Sequence, residues 1–335
     1  MNKKQLMKLV LILLAGITVF DLIYNIGTHL ESQNNNGVPE FTAAKGISYI
    51  DRREAIEVRD NKYAFKRDVS SYLIAGVDKD SFDNEKNISR SRSQADFIML
   101  VVADHNKEEV YCIAIDRDTI TDITILSLLG KPKGTQKAQI ALSYAYSNEP
   151  KVSAQLLVNA VENLLLGISI DHYLIFSMDT VSALNESVGG VKVHIGEDLT
   201  SVDPQFVVGS EIILQDDQAI KFVRARKNVG DGTNIARISR QNTFLNAFFS
   251  QLASITSDDK TAAKAIIDKL FPLIDCSAKK GQIINDINRI RCYSYHDPIV
   301  LGGVRQISKS NNMEFYVDES HLLEILLDIF YEKIG

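Results

Sequence analysis

The chain is short of basic charge. Its 37 lysines and arginines are outnumbered by 43 aspartates and glutamates, a net charge of −6 over 335 residues. That balance, with a pI near 5.6, excludes a general nucleic-acid binder, which would be basic. Cysteine is scarce as well. The three, Cys112, Cys276 and Cys292, follow no metal-ligand spacing. Cys112 sits in the apolar run VYCIAI and reads as a buried small hydrophobe. Cys276 and Cys292 stand open between free thiols and an extracellular disulfide, because sequence does not show their separation. The six histidines are scattered, and no Ser-His-Asp or Cys-His set points to a covalent intermediate. Tryptophan is absent, which excludes nothing. There is no internal repeat. What remains, 45% hydrophobic and 24% charged residues, suffices for one large domain or two smaller ones.

One long hydrophobic run is present. Lys3, Lys4 and Lys8 precede LVLILLAGITVFDLIYNI, Leu9 to Ile26. Its length, about 18 residues, just spans a bilayer as a helix. Lysines on its near side put the N-terminus in the cytoplasm and the rest of the chain outside. Asp21 falls near the outer end, where a carboxylate reaches the interface. A cleaved signal peptide is the alternative, but no small-x-small site ends the run, so a retained single-pass anchor is expected. Gly27 to Lys45 is polar and Asn/Gly-rich, a linker off the membrane. The segment through Arg67 is charged and mixed and has no evident place.

From Val69 the pattern becomes that of a folded domain, expected over 68–335 with a core at 69–254 and an α/β extension at 255–335. VSSYLIAGV (Val69 to Val77), FIMLVVA (Phe97 to Ala103) and VYCIAI (Val110 to Ile115) read as buried strands, the last two joined by a hairpin turn. A polar loop, Asp80 to Ser93, separates the first two. Ser153 to Leu166 has helical spacing and a cap at Gly167. Tyr173 to Ser177 and Val191 to Ile195 are further strands, Ile238 to Leu252 and Ser320 to Tyr331 further helices. Strands alternating with helices predict a three-layer α/β fold with a mixed central sheet behind the N-terminal transmembrane helix.

The chemistry concentrates in FVRARKNVGDGTNIARISRQ, Phe222 to Gln241. Arg224, Arg226, Arg237 and Arg240 crowd together there in an acidic chain. Arginine suits phosphate because its flat guanidinium offers paired donors and stays charged. If Asp217 to Val223 is helical and the chain then extends, Arg224 and Arg226 share a face; in a continued helix they would diverge by roughly 200°. Asn234 stands where a helix N-cap is expected, and Arg237, Arg240 and Gln241 then occupy neighbouring positions of the first turns. A solvated basic helix start is the bland reading. Arg117 argues against it, because AIDRDT places it at the end of a buried strand, where α/β folds put their sites. Asp78 and Asp96 end and begin neighbouring strands and suit a hard divalent cation, Mg²⁺ or Mn²⁺, although each alone reads as a loop cap.

Five separated segments, in order, resemble the LytR-CpsA-Psr family of bacterial cell-wall proteins. QADFIMLVV resembles its RSDTIMLV, AIDRDT its IPRDT, and KAQIALSYAY its KINAAYAYG. GISIDHYLIFSMD and ESVGGVKVHI resemble GIPIDYYVVVNFD and ALGGVEVNV; FVRARK and NIARISRQ resemble YVRARK and DFGRQERQ. The resemblance covers Val69 to Leu252, and the anchor fits it. It implies a phosphotransferase outside the membrane. Such an enzyme moves a glycopolymer from an undecaprenyl-pyrophosphate carrier onto peptidoglycan through a phosphodiester, with the prenyl tail in an apolar tunnel between sheet and helices. Carried over by position, Arg117, Arg224, Arg226, Arg237 and Gln241 bind pyrophosphate, with Arg240 either beside them or structural, and Asp78 and Asp96 bind Mg²⁺ or Mn²⁺. Arg117, Arg224, Arg226 and Arg237 are also the candidates for stabilising the transition state.

The chain departs from the pattern at four places. Asn234 replaces an acidic residue, and an amide has no useful basicity; Asp231 or Asp118 stands in reserve. Ala236 replaces Gly, Gln94 replaces the arginine before the motif's Asp, and Asp216 replaces the Gly of an LDG segment. Three readings follow: a glycopolymer transferase, a lipid-pyrophosphate hydrolase or transferase to another acceptor, and a non-catalytic lipid-pyrophosphate binder that regulates envelope assembly.

Overall fold

The computed structural model describes residues 55–78, 93–127, 132–215, 217–225, 234–259, 261–309 and 311–334. The expected anchor, the linker, Arg226 and nearly all of the Asp80 to Ser93 loop lie outside them. Among the described residues no helix is long and apolar enough to cross a membrane.

β1 (Ile56–Val58) and β2 (Asn61–Phe65) form a hairpin whose turn, Arg59 and Asp60, has positive φ. β3 (Val69–Val77) and β5 (Glu109–Ala114) then each pair antiparallel with β4 (Ala95–Asp104) between them. β3 and β4 are apolar along most of their length because both faces are covered. Leu73, Ala75 and Val77 enter one core and Ile74 the other, the two-residue alternation of a strand.

Past β5 the chain leaves the sheet. β6 (Ile120–Leu126) and β7 (Pro132–Gln139) make a second hairpin. Its second strand is polar and mostly exposed, so no apolar period announces it. A 3₁₀ turn, Ile140–Tyr146, leads into α1 (Pro150–Leu164), which buries Leu157, Val161 and Leu164 in the first core. The expected cap extends back by one residue: Leu166 and Gly167 both have positive φ, and the Gly167 amide donates to the Glu162 carbonyl at 2.8 Å.

β8 (His172–Phe176) lies parallel to β3. On the sheet's second face follow α2 (Thr180–Ser187), β9 (Lys192–His194), β10 (Glu211–Ile213), α3 (Gln218–Arg224), α4 (Asn234–Asp258) and α5 (Ala262–Leu270). They bury Val181, Phe222, Phe244 and Phe248. Among the described residues β9 pairs with β10 alone, outside the central sheet.

The remaining chain reaches both edges of that sheet. β11 (Asp275–Cys276) pairs with β8; after α6 (Lys280–Ile290), β12 (Ser294–Tyr295) and β13 (Ile299–Val300) pair in parallel with β5. A hairpin of β14 (Gly303–Ile307) and β15 (Met313–Val317) precedes α7 (Glu319–Phe330), and β16 (Tyr331–Lys333) pairs with β2. Residues 56–65, part of the segment that its sequence left unplaced, thus form a strand pair to which β16 adds a third strand. The product is a mixed seven-stranded sheet with helices on both faces, the α/β layering expected. All three cysteines are free, and burial pushes the Cys112 thiol up to about 12.

Candidate anion-binding site

Antiparallel pairing puts the end of β3 beside the start of β4, and the end of β5 on the other side of β4, at Met99. Asp78, Asp96 and Arg117 therefore meet although the sequence separates them. Arg117 donates through one Nη to Asp96 Oδ1 and through the other to Gln94 Oε1. Arg237, on the first turn of α4, bridges the two carboxylates: Nη1 is 2.7 Å from Asp78 Oδ2 and Nη2 is 3.2 Å from Asp96 Oδ2. The Asp96 side chain is 4% exposed and the Asp78 side chain 41% exposed. Burial raises the Asp96 carboxyl above its ordinary range; Arg117 and Arg237 oppose this, and Asp78 adds to it. Arg237 Nε is buried and finds no hydrogen-bond partner among the described residues. A buried donor in that condition calls for an acceptor.

Gln241 lies one helical turn beyond Arg237. It is buried and lines a narrow cavity of about 30 Å³ with Gly76, Asp78, Phe97, Phe176 and Phe244. The seam runs between the sheet and α4, apolar inside and acidic at the Asp78 end. At Gly76 a Cβ would stand 3.3 Å from both Leu245 Cδ1 and Phe97 Cβ, so strand and helix approach closely there because the side chain is missing.

The other predicted ligands divide. Arg224 is the exposed last residue of α3, one residue past the expected helix end, and Ala225 (φ −50°, ψ 125°) leaves the helix; Arg226 lies outside the described residues. Arg240, left open between a place near the phosphate and a structural role, pairs with Glu197 and donates to the Ala225 carbonyl. Three residues along a helix turn it about 60° away from Arg237. That places it on the side of α4 that holds the chain after α3. Gln94 is the residue that sequence reasoning undervalued. In place of a cation, it supplies a neutral acceptor that fixes one arm of Arg117.

A metal can be tested against this donor set. Among the described residues no group of three His, Cys, Asp or Glu side chains is placed to hold one alone. Asp78 and Asp96 already share one cationic group, the Arg237 guanidinium. Two such carboxylates fit Mg²⁺, which completes its shell with phosphate oxygens and water. Asp118, beside Arg117, is a further carboxyl. Burial and Asp116 push it up to about 6 against Arg117 and Arg305. Its Oδ1 accepts from Gln139 Nε2 at 2.9 Å and lies 3.6 Å from Arg117 Nε.

The chain is 30% identical over 267 residues to a polyisoprenyl-teichoic acid–peptidoglycan teichoic acid transferase, TagU, of Halalkalibacterium halodurans, covering 79% of this chain and 77% of that one. Its fold is shared with B. subtilis TagV (TM-score 0.59, 20% identity, 79% of this chain and 96% of that one). It is shared also with TagT bound to LI-WTA (TM-score 0.55, 18% identity, 87% and 98%). The model of the LytR_cpsA_psr family matches residues 41–285, and the chain belongs to that family.

Proposed function

We propose that this protein transfers a phospho-glycopolymer from a polyprenyl-pyrophosphate carrier to a sugar hydroxyl of peptidoglycan, on the outer side of the membrane to which Leu9 to Ile26 would anchor it. One observation carries the reading: Arg117, Arg237, Asp78 and Asp96 converge at the polar end of an apolar seam. A charged head would sit at that polar end, and the apolar seam, about 30 Å³ as it stands, would have to widen to take a hydrocarbon tail. The 30%-identical relative named as a teichoic acid transferase supports the reaction class.

In the reaction the acceptor oxygen bonds to phosphorus, the bond to the carrier phosphate breaks, and the lipid phosphate leaves. Such transfer needs positioning and neutralisation of the phosphate oxygens more than covalent help. Arg117 and Arg237 supply paired donors, with Arg224 and Arg226 completing the set. Asp78 and Asp96 would hold Mg²⁺ or Mn²⁺, which when bound neutralises non-bridging oxygens. With an amide at Asn234, Asp118 takes the acceptor proton. Among its charged neighbours are Asp116, Arg117, Arg305 and Asp96. A base must be ionised, so transfer is expected to fall as pH drops below about 6. Asp118→Asn should slow it by about 10²-fold and abolish that limb of the pH–rate profile. An unchanged profile in Asp118→Asn would remove the residue from this role.

Gly76→Val should fill the seam. Binding of a long-chain prenyl pyrophosphate is expected to weaken about tenfold, while inorganic pyrophosphate binds as before. Equal losses for both ligands in a titration would place the tail elsewhere.

Asn234 favours one second reading, a binder without turnover. Full-length protein in detergent, given a polyprenyl-pyrophosphate-linked saccharide, Mg²⁺ and peptidoglycan, separates the outcomes. Linked product supports transfer, free phosphate indicates a hydrolase, and tight binding without product indicates a regulator.

A further inference from the structure

The family match ends at residue 285, yet the chain beyond it returns to the turn that carries Arg117. That turn is small. The Asp118 amide donates to Asp116 Oδ1 at 2.8 Å and the Thr119 amide to the Asp116 carbonyl at 3.0 Å, so Asp116 closes a loop around Arg117. From the far side the β14–β15 hairpin holds it. Arg305 pairs with Asp116 Oδ2, while its guanidinium carbon lies 5.1 Å from the centre of the Phe315 ring. The Phe315 amide donates to the Asp118 carbonyl at 2.9 Å, and Thr119 bridges Phe315 as a strand neighbour would. Gln139 Nε2 joins the two pieces, 2.9 Å from Asp118 Oδ1 and 2.7 Å from the Met313 carbonyl. Within the hairpin the strands approach closely at Gly303, where a Cβ would run into the Tyr316 carbonyl oxygen and the Phe315 ring.

We propose that Arg305 is a positioning residue of the phosphate site: through Asp116 it sets the turn from which Arg117 reaches its ligand. The proposal rests on the pyrophosphate reading above. Arg305 itself touches Asp116 and Phe315, not the Asp96–Arg237 cluster. Its effect is therefore on the geometry of Arg117, and loss of the pair should loosen the turn without unfolding the sheet.

The test uses full-length protein and geranylgeranyl pyrophosphate as probe. Arg305→Gln is expected to weaken binding about tenfold, with Arg305→Lys recovering part of the loss and thermal midpoints unchanged. Asp116→Asn should match it, and the double variant should lose no more than either single one, because both remove one interaction. Amide hydrogen exchange at residues 116–119 should quicken in Arg305→Gln. Wild-type affinity and wild-type exchange in folded Arg305→Gln would overturn the inference. If the unaltered protein and Arg237→Lys bind the probe equally poorly, the pyrophosphate reading has failed instead, and exchange at the turn still decides whether Arg305 orders it.

Discussion

Arg117→Lys and Arg237→Lys are each expected to slow transfer by about 10²-fold or more while the protein stays folded. Lysine keeps the positive charge next to Asp96 but offers it as a single point. Arg117 holds two different acceptors, Asp96 and Gln94, with its two arms. Arg237 likewise spans Asp78 and Asp96. An ammonium cannot reproduce either fork and still present a second edge to phosphate. Alanine is the less informative choice. It would leave the buried Asp96 short of a partner, at about 3–5 kcal/mol, and mix stability with catalysis. Steady-state transfer of a polyprenyl-linked saccharide to peptidoglycan, with circular-dichroism melts of the same samples, checks both variants. Wild-type rates in two folded variants would remove the arginines from the chemistry.

Lys66→Met is expected to cost about 3–5 kcal/mol of stability and leave the anion site's geometry alone. Lys66 is buried with Asp104, whose side chain is 1% exposed, at 3.0 Å. Its other two hydrogens reach the Asp328 and Ile329 carbonyls, at 2.8 and 2.9 Å, in the last turn of α7. One ammonium thus answers a buried carboxylate and the negative end of a helix. Methionine fills the volume and answers neither. Burial pushes Asp104 up, but the hydrogen bond from Lys66 and the amides of Lys107 and Asn106 outweigh it and leave its pKa below the ordinary range. Its contribution is therefore whole above the unfolded pKa of about 4 and is lost as pH falls through the lower folded value. Urea unfolding at neutral and at acid pH checks both points: the gap between the two proteins should narrow toward acid, and a gap that stays constant would assign the loss to packing instead.

Much of this was legible before any fold was known. β3, β4 and β5 are apolar along most of their length, and α1, α4 and α7 show helical spacing, because burial imposes those patterns locally. The same holds for Asp78, Asp96 and Arg117, since strand ends are where such sheets expose side chains. Other pieces carried no local signal. β7 is mostly polar and exposed, and β11, β12 and β13 have two residues each, too few for any period. Arg240 and Arg237 look alike in a list of arginines. Which one faces Asp78 and which faces Glu197 depends on how α4 is rotated against the sheet.

Sequence alone therefore determined the layered α/β class, the family and the set of phosphate-binding candidates, because burial pattern and residue chemistry are written residue by residue. Tertiary structure decided the partnerships. It divided Arg237 from Arg240, made Gln94 a support for Arg117, and brought Arg305 to Asp116 across 189 positions of chain. Those outcomes depend on strand register and helix rotation, which the whole packed core sets and no single segment encodes.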